Sequence, residues 1–564
     1  MAMGRWGGEW VGDNWRVSLW APGARAVALV LEGRDHAMTR DPDGSWSAAV
    51  PAQAGARYML RVDGALFPDP ASRLQDGGVH APSVADRADY AWQADWPGRA
   101  WAEAVIYELH VGSFTPQGTL AAAAERLDRL AALGFTAIEL MPLGQFPGQR
   151  GWGYDGVLPF ALHPAYGTPD DLRRLVDRAH ALGLMVLLDL VMNHFGPEGA
   201  ALHRIAPEFF DASRQTPWGA AIDFSRPAVR DYWCECAAHW LGAFRLDGLR
   251  LDAVHQITGP GADEFLVEFA RRTRAACPGR PVHLIVEDER NLPDLRRQGY
   301  DASWNDDFHH VIHCLLTAEE HGYYASFARD PLADLAHALR RGHVEEGQPR
   351  PGRDGPRGAD CGDLPPTAFV NAIQTHDQIG NRARGERLLS LAEPEGVRLA
   401  YALLLVAPYI PMVFMGEERG ARAPFLFFAD YRGDLAQAVR DGRRAEFAAD
   451  AGFAEAPDPL DPETLRRSRL DWDAPDTEGW QALTRGALRF RHRQVVPLLK
   501  SGRRSAEVER LGSRGLTAAW HFGAGSLHVA LSAGAPAPLP AGGEFVLGRP
   551  GRDRFALTAR VEPA

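Results

Sequence analysis

Two stretches decide the fold: Leu184-Met185-Val186-Leu187-Leu188-Asp189-Leu190-Val191 and Gly248-Leu249-Arg250-Leu251-Asp252-Ala253. Both are short; the first is apolar but for Asp189, the pattern of a strand covered on two faces, and the second interleaves Arg250 and Asp252 with leucines. Asp189 and Asp252 both stand near the C-terminal ends of their stretches. Side chains alternate along a strand, so Arg250 and Asp252 point to one side while Leu249 and Leu251 take the other.

Six more runs of this kind lie around them, at 104–111, 137–142, 282–287, 300–305, 369–376 and 411–417. Between them come helical patterns. Residues 119–134 place Leu120, Leu127 and Leu130 on one face and stop at Gly134. Residues 169–183 open on Pro169 with Asp170 and Asp171 behind it, which suits a helix N-terminus. Eight buried strands alternating with helices predict an α/β fold, a (β/α)8 TIM barrel with long insertions rather than a doubly wound sheet. The uncharged run 399–416 contains Pro408 and Pro411 and reads as a buried helix and strand, not a membrane span.

Outside the barrel the period changes to two. Residues 15–20 and 26–31 alternate and are separated by turn clusters such as Asp41-Pro42-Asp43-Gly44, which predicts an N-terminal β-sandwich. Runs at 516–521 and 527–531 predict a small C-terminal β-domain. The expected division is 1–95, 96–484 and 485–564. Residues 343–363, rich in Gly, Arg, Asp and Pro, read as a long, partly mobile loop, and the acidic run 458–463 as a solvated one.

Composition excludes several chemistries. Of the 61 basic residues only Lys500 is a lysine, and its surroundings carry no phosphate-loop pattern, so Schiff-base and P-loop mechanisms are excluded. A net charge of −12 argues against a general nucleic-acid partner. The five cysteines (Cys234, Cys236, Cys277, Cys314, Cys361) form no CxxC, so neither a zinc ribbon nor a disulfide framework is indicated. The start of the chain shows no apolar signal segment, and a cytoplasmic, reducing compartment is expected. Gly151-Trp152-Gly153-Tyr154-Asp155-Gly156 fits GxGxxG but has no strand before it and no helix after it, so a dinucleotide role is rejected. No Gly-x-Ser-x-Gly elbow or His-Glu-x-x-His zinc motif is present.

What remains is a set of charged groups at strand ends: Asp189, Arg250 with Asp252, Glu287, and His376 with Asp377. In a barrel these fall on the C-terminal rim, where active sites of this fold are built. One ionised and one protonated carboxyl are what glycoside hydrolysis requires, and an arginine two residues from the nucleophile keeps it charged.

The segments Asp189-Leu190-Val191-Met192-Asn193-His194, Leu249-Arg250-Leu251-Asp252-Ala253-Val254-His255, Ile285-Val286-Glu287 and Thr375-His376-Asp377 resemble, in order, the four signature segments of the α-amylase superfamily. The resemblance implies a retaining mechanism, with Asp252 as nucleophile, Glu287 as general acid/base and Asp377 gripping the sugar hydroxyls. It implies that Arg250 orients Asp252, that Tyr154, His194 and His376 line the −1 sugar site, and that Asp189 belongs to the substrate-binding set. Glu289 is a rival acid; Glu287 is preferred because it closes the strand. Trp152-Gly153-Tyr154 and Trp20-Ala21-Pro22-Gly23 are similar to the branching and debranching branch. Asn193 stands where many α-amylases bind calcium, but no companion ligands accompany it, and neither metal nor cofactor is expected.

Within that branch, residues 304–310, 378–383, 424–430, 442–447 and 72–82 resemble the maltooligosyltrehalose trehalohydrolase family. That resemblance implies hydrolysis of the α-1,4 bond beside the terminal trehalose of a maltooligosyl trehalose, and with it a part in trehalose biosynthesis. His255 and the segment 304–310, Asp306 included, are the candidates for recognising trehalose. Trp152 and Trp218, in glycine-containing loops, are the expected stacking platforms. The other readings weighed are an α-1,4-glucan branching enzyme and a non-catalytic glycan-binding protein. The sequence leaves monomer and homodimer open.

Overall fold

The computed structural model describes residues 5–447, 456–476 and 479–564. Eight parallel strands close into a barrel in chain order: β1 (Ile106–Leu109), β2 (Ala137–Leu140), β3 (Met185–Leu190), β4 (Gly248–Leu251), β5 (His283–Val286), β6 (Ala302–Trp304), β7 (Phe369–Asn371) and β8 (Ile410–Phe414). Strand β8 pairs back onto β1, with Ile106 opposite Met412. All eight expected strands are present.

Alternation sorts the strand residues into two apolar layers. Ile106, Ala137, Leu187, Ile285 and Met412 fill the barrel. Tyr107, Ile138, Leu188, Leu249 and Leu284 point outward into the core shared with the helices. Glu108, Glu139, Asp189 and Arg250 are two residues beyond inward-facing positions, so they form a polar layer above that apolar floor. The interior of the barrel is therefore packed below and charged above.

The helix Pro169–Ala181 starts as expected, with Thr168 and Asp171 closing a capping box around Pro169. The helix expected over 119–134 is instead two, Leu120–Ala124 and Leu127–Leu133. At the break Arg126 N–H closes a tight turn on Ala123 O (3.0 Å) and its guanidinium lies 5.2 Å from the Trp472 ring. Strand seven is shorter than its apolar run: β7 stops at Asn371, and His376 and Asp377 begin the short helix His376–Gly380. Thr375 and Gln378 form a capping box there, which takes these backbone groups out of the sheet. The run 399–416 is the end of the helix Pro394–Val406 followed by β8.

Two antiparallel sheets form the N-terminal unit, one built on Asn14–Trp20 and Ser45–Pro51, the other on Val27–Leu31 and Arg57–Val62. It is fastened to the barrel helix Pro227–Ala243, where Trp6 Nε1 donates to Ala228 O (2.8 Å) and Glu235 accepts from the Arg5 and Trp6 amides. A five-stranded antiparallel sheet forms the C-terminal unit and begins at Arg503, while the helix Trp480–Phe490 spans the expected 484/485 junction.

Residues 343–363 contain neither helix nor strand, but they are held by a buried ionic web. Arg357 bridges Asp307 and Glu345, both at 2.8 Å, and Arg350 pairs with Asp334. The acidic run 458–463 is also more structured than a solvated loop: Asp461 caps the helix Pro462–Ser468 and Asp458 pairs with Arg440. No helix among the described residues is long and apolar enough to cross a membrane.

Candidate active site

Arg250 is the hub of the polar layer. It is fully buried, with its guanidinium carbon 4.0 Å from the Trp304 ring. One terminal nitrogen donates to Asp189 Oδ2 (2.5 Å) and Asp252 Oδ1 (3.1 Å), and the other donates to Glu287 Oε2 (2.7 Å). Strand alternation alone aims it inward, and the neighbouring strands supply the carboxyls, because Asp189 and Arg250 are register partners on β3 and β4. Three acids around one fork-shaped cation is a geometry that only arginine satisfies.

Asp252 follows β4 directly. Its Oδ2 accepts from Asn193 Nδ2 at 2.8 Å, so both carboxylate oxygens are held. The next residue, Ala253, has φ +42°, a left-handed conformation that a side-chain-bearing residue adopts only under constraint. The constraint has a visible result: Ala253 N–H donates to Glu287 Oε2 at 2.9 Å. Glu287 Oε1 makes no hydrogen bond among the described residues, and the side chain remains 18% exposed, so one oxygen is available at the barrel mouth. Glu289 is different, being 68% exposed and 3.4 Å from His255 on the rim.

Around these groups, Tyr154 donates to Asp189 Oδ2 at 2.6 Å and stacks on the His376 ring (5.1 Å, 20°). Burial pushes the Asp189 carboxyl up to about 7, against the pull of Arg250 and the Tyr154 hydroxyl. His376 Nδ1 lies 2.5 Å from Glu108 Oε1, and its Nε2 is 3.4 Å from Asp377 Oδ1. Against the cost of burial, the charges of Asp377 and Glu108 raise the imidazole to about 9, so it carries its proton at neutral pH. His194 donates from Nδ1 to Asn193 Oδ1 and stacks on Trp218 (4.1 Å, 14°); burial drives its pKa down to about 4 and keeps it neutral. Asp306, at the start of the helix Asp306–Thr317, is pushed up to about 7 by burial and by the charges of Glu287 and Asp377.

The structure thus brings together Tyr154, Asp189, His194, Arg250, Asp252, Glu287, His376 and Asp377, with Asp306 beside them. It leaves His255 on the rim with Glu289. Most of the segment 304–310 is internal: Trp304 lies under Arg250, Asn305 bonds Asn371 and the Gly342 carbonyl, and His309 and His310 are buried. Trp152 is not a platform either. Its ring stacks on Phe425 (5.1 Å, 19°), its Nε1 donates to Leu426 O, and only 6% of it is exposed. Trp218, 42% exposed, remains open to a ligand.

Four participants carry no catalytic or sugar-binding role in the sequence reading. Glu108 and Glu139 sit inside apolar strand runs, and a carboxyl in such a run is itself a signal, because burying it needs compensation. Asn193, at the position that binds calcium in many α-amylases, here donates from its amide nitrogen to Asp252 and accepts from His194 on its amide oxygen. Tyr323, 49% exposed and close enough to feel the charges of Asp377 and Asp306, lies on a short helical turn with no motif to mark it.

Comparison with known proteins matches residues 99–218 to the alpha amylase catalytic domain and residues 5–75 to carbohydrate-binding module 48, the isoamylase N-terminal domain. A malto-oligosyltrehalose trehalohydrolase from Deinococcus radiodurans is 43% identical, over 86% of this chain and 82% of its own. A candidate alpha amylase from Salmonella typhimurium superposes with a TM-score of 0.95 at 43% identity, covering 99% of this chain and 100% of that one. The branching enzyme GlgB of Bordetella pertussis is more distant, 29% identical over 72% of this chain and 60% of its own. On this evidence the chain belongs to the malto-oligosyltrehalose trehalohydrolase family of α-amylase-type glycosidases.

Proposed function

We propose that this protein hydrolyses the α-1,4 bond next to the terminal trehalose of a maltooligosyl trehalose, with retention, releasing trehalose and a maltooligosaccharide. The observation that carries the chemistry is the buried Arg250 fork holding Asp252 and Glu287 at one mouth. The substrate comes from the family to which the chain belongs.

In this reading Asp252 attacks the anomeric carbon of the −1 glucose. Glu287, through its free Oε1, gives a proton to the departing trehalose oxygen. A glucosyl ester on Asp252 results. Glu287 then takes a proton from water, which attacks the same carbon and frees Asp252. Asn193 and Arg250 fix the nucleophile's two oxygens, while Asp377 and the His376 cation bind hydroxyls of the −1 sugar and Tyr154 supports it from Asp189. Trp218 and Tyr323, the exposed aromatic side chains at the mouth, offer flat surfaces for sugar faces, and Asp306 faces the leaving-group side. No step calls for a metal or a cofactor. A cytoplasmic setting and a role in making trehalose fit the five free thiols, four of them buried.

The test is a product assay on purified protein with maltopentaosyl trehalose and, in parallel, amylose. Free trehalose and maltopentaose, with amylose little changed, is the expected result. An inert trehalosyl substrate together with new α-1,6 branches in amylose would replace this reading with a branching enzyme. Tight maltooligosaccharide binding without turnover of either would replace it with a binding protein.

A further inference from the structure

Strand β7 ends at Asn371, so the turn that carries His376 and Asp377 is not held by the sheet. What holds it comes from β1, two strands along the barrel wall, beyond β8. Glu108 on β1, 1% exposed, accepts from the His376 backbone N–H on Oε2 (3.3 Å) and from the ring Nδ1 on Oε1 (2.5 Å). One carboxylate thus clamps both the main chain and the side chain of a single residue. The ring is fixed between Tyr154, Trp152 (5.6 Å, edge-on) and Trp304 (5.9 Å), with Nε2 directed at Asp377.

We propose that Glu108 is a positioning residue for the reaction: by clamping His376 it places Asp377 and the imidazole on the −1 sugar. The inference rests on the glycosidase reading of this site and deepens it.

The charge around the ring supports the same role. Asp377, and Arg250 on β4, act on the His376 charge, which in turn reaches Glu139 on β2 and His110 after β1. His110 is neutral by burial, its pKa down to about 3. Glu139 is driven far up by burial and by the charges of Glu108 and Asp189, and neither of its oxygens has a partner among the described residues. It stands opposite Glu108 in register, and burial favours its protonated form. Of these carboxyls, Glu108 and not Glu139 bonds the imidazole.

The test compares Glu108→Gln, Glu108→Asp and His376→Gln, with the Glu108→Gln/His376→Gln double variant, by kcat and KM from pH 5 to 10. Glu108→Gln should lower kcat about tenfold to a hundredfold, and more than it changes KM. It should also move the alkaline loss of activity down from near pH 9, because only Asp377 then remains to offset the cost of burying the charged ring. Glu108→Asp should restore most of the alkaline activity. Adding Glu108→Gln to His376→Gln should cost no more than twofold. If Glu108→Gln does not fold, Glu108→Asp with and without His376→Gln completes the same cycle. A Glu108 variant that melts earlier but keeps wild-type kcat and the wild-type alkaline limb would overturn the proposal, as would additive losses in the double variant. Wild-type protein inert on maltooligosyl trehalose would count against the substrate reading alone, and the profiles would then be taken on the α-glucan it does cleave.

Discussion

Replacing Arg250 by lysine keeps the charge of the hub and removes its shape. The guanidinium now serves Asp189, Asp252 and Glu287 from two terminal nitrogens. A lysine ammonium is a single point on a flexible stem and cannot span all three. Each charge-assisted hydrogen bond contributes about 1.5–3 kcal/mol. If one such bond, to Asp252 or Glu287, is expressed in the transition state, kcat should fall roughly 10- to 150-fold. Arg250→Met removes the charge as well. Two unit charges about 4 Å apart interact by roughly 4 kcal/mol at an effective dielectric of 20, so a further loss on the order of a thousandfold is expected. Leaving three acids without a counter-ion should also lower the melting temperature, far more in Arg250→Met than in Arg250→Lys. The assay is kcat and kcat/KM on maltopentaosyl trehalose, with thermal melts as the control for folding. A lysine variant within threefold of wild type would refute the claim that the fork orients the two carboxyls.

Other substitutions separate roles that sequence alone leaves together. Glu287→Gln should abolish turnover, whereas Glu289→Gln on the exposed rim should stay within a few-fold of wild type; steady-state rates decide between the two acids. Trp218→Ala should raise KM several-fold with little change in melting temperature, while Trp152→Ala, which empties a packed site against Phe425, should destabilise the protein by about 3–5 kcal/mol. Asp306 has a folded pKa raised to about 7, so the folded protein binds its proton more tightly and stability falls as pH rises from about 4 to 7. Asp306→Asn removes that penalty and should raise the melting temperature by roughly 1–3 °C at pH 8 and not at pH 4; an equal shift at both values would remove the burial argument.

The barrel was legible because its strands are buried on both faces and so read as continuous apolar runs. The same runs exposed the reacting groups, since Asp189, Arg250, Asp252 and Glu287 stand where those runs end. Strand seven reads too long for a related reason: Ala372 and Ile373 continue its apolar run past Asn371, and only the Thr375–Gln378 capping box marks the change to a helix. Trp152 was misread because glycines surround it in sequence, whereas its burial is decided by Phe425 and Leu426, more than 270 positions away. Long-range packing of this kind leaves no local pattern. Glu108 and Glu139 were visible as residues but not as partners, because inward aim follows from strand phase and their neighbours follow only from closure of the barrel.

The most direct measurement is a proton NMR spectrum of a fresh maltopentaosyl trehalose digest, taken before the products mutarotate. The account predicts the α-anomer of maltopentaose appearing first, in step with free trehalose. A β-anomer appearing first would contradict Asp252 as the nucleophile, and a new reducing end without free trehalose would contradict the assignment of the cleaved bond.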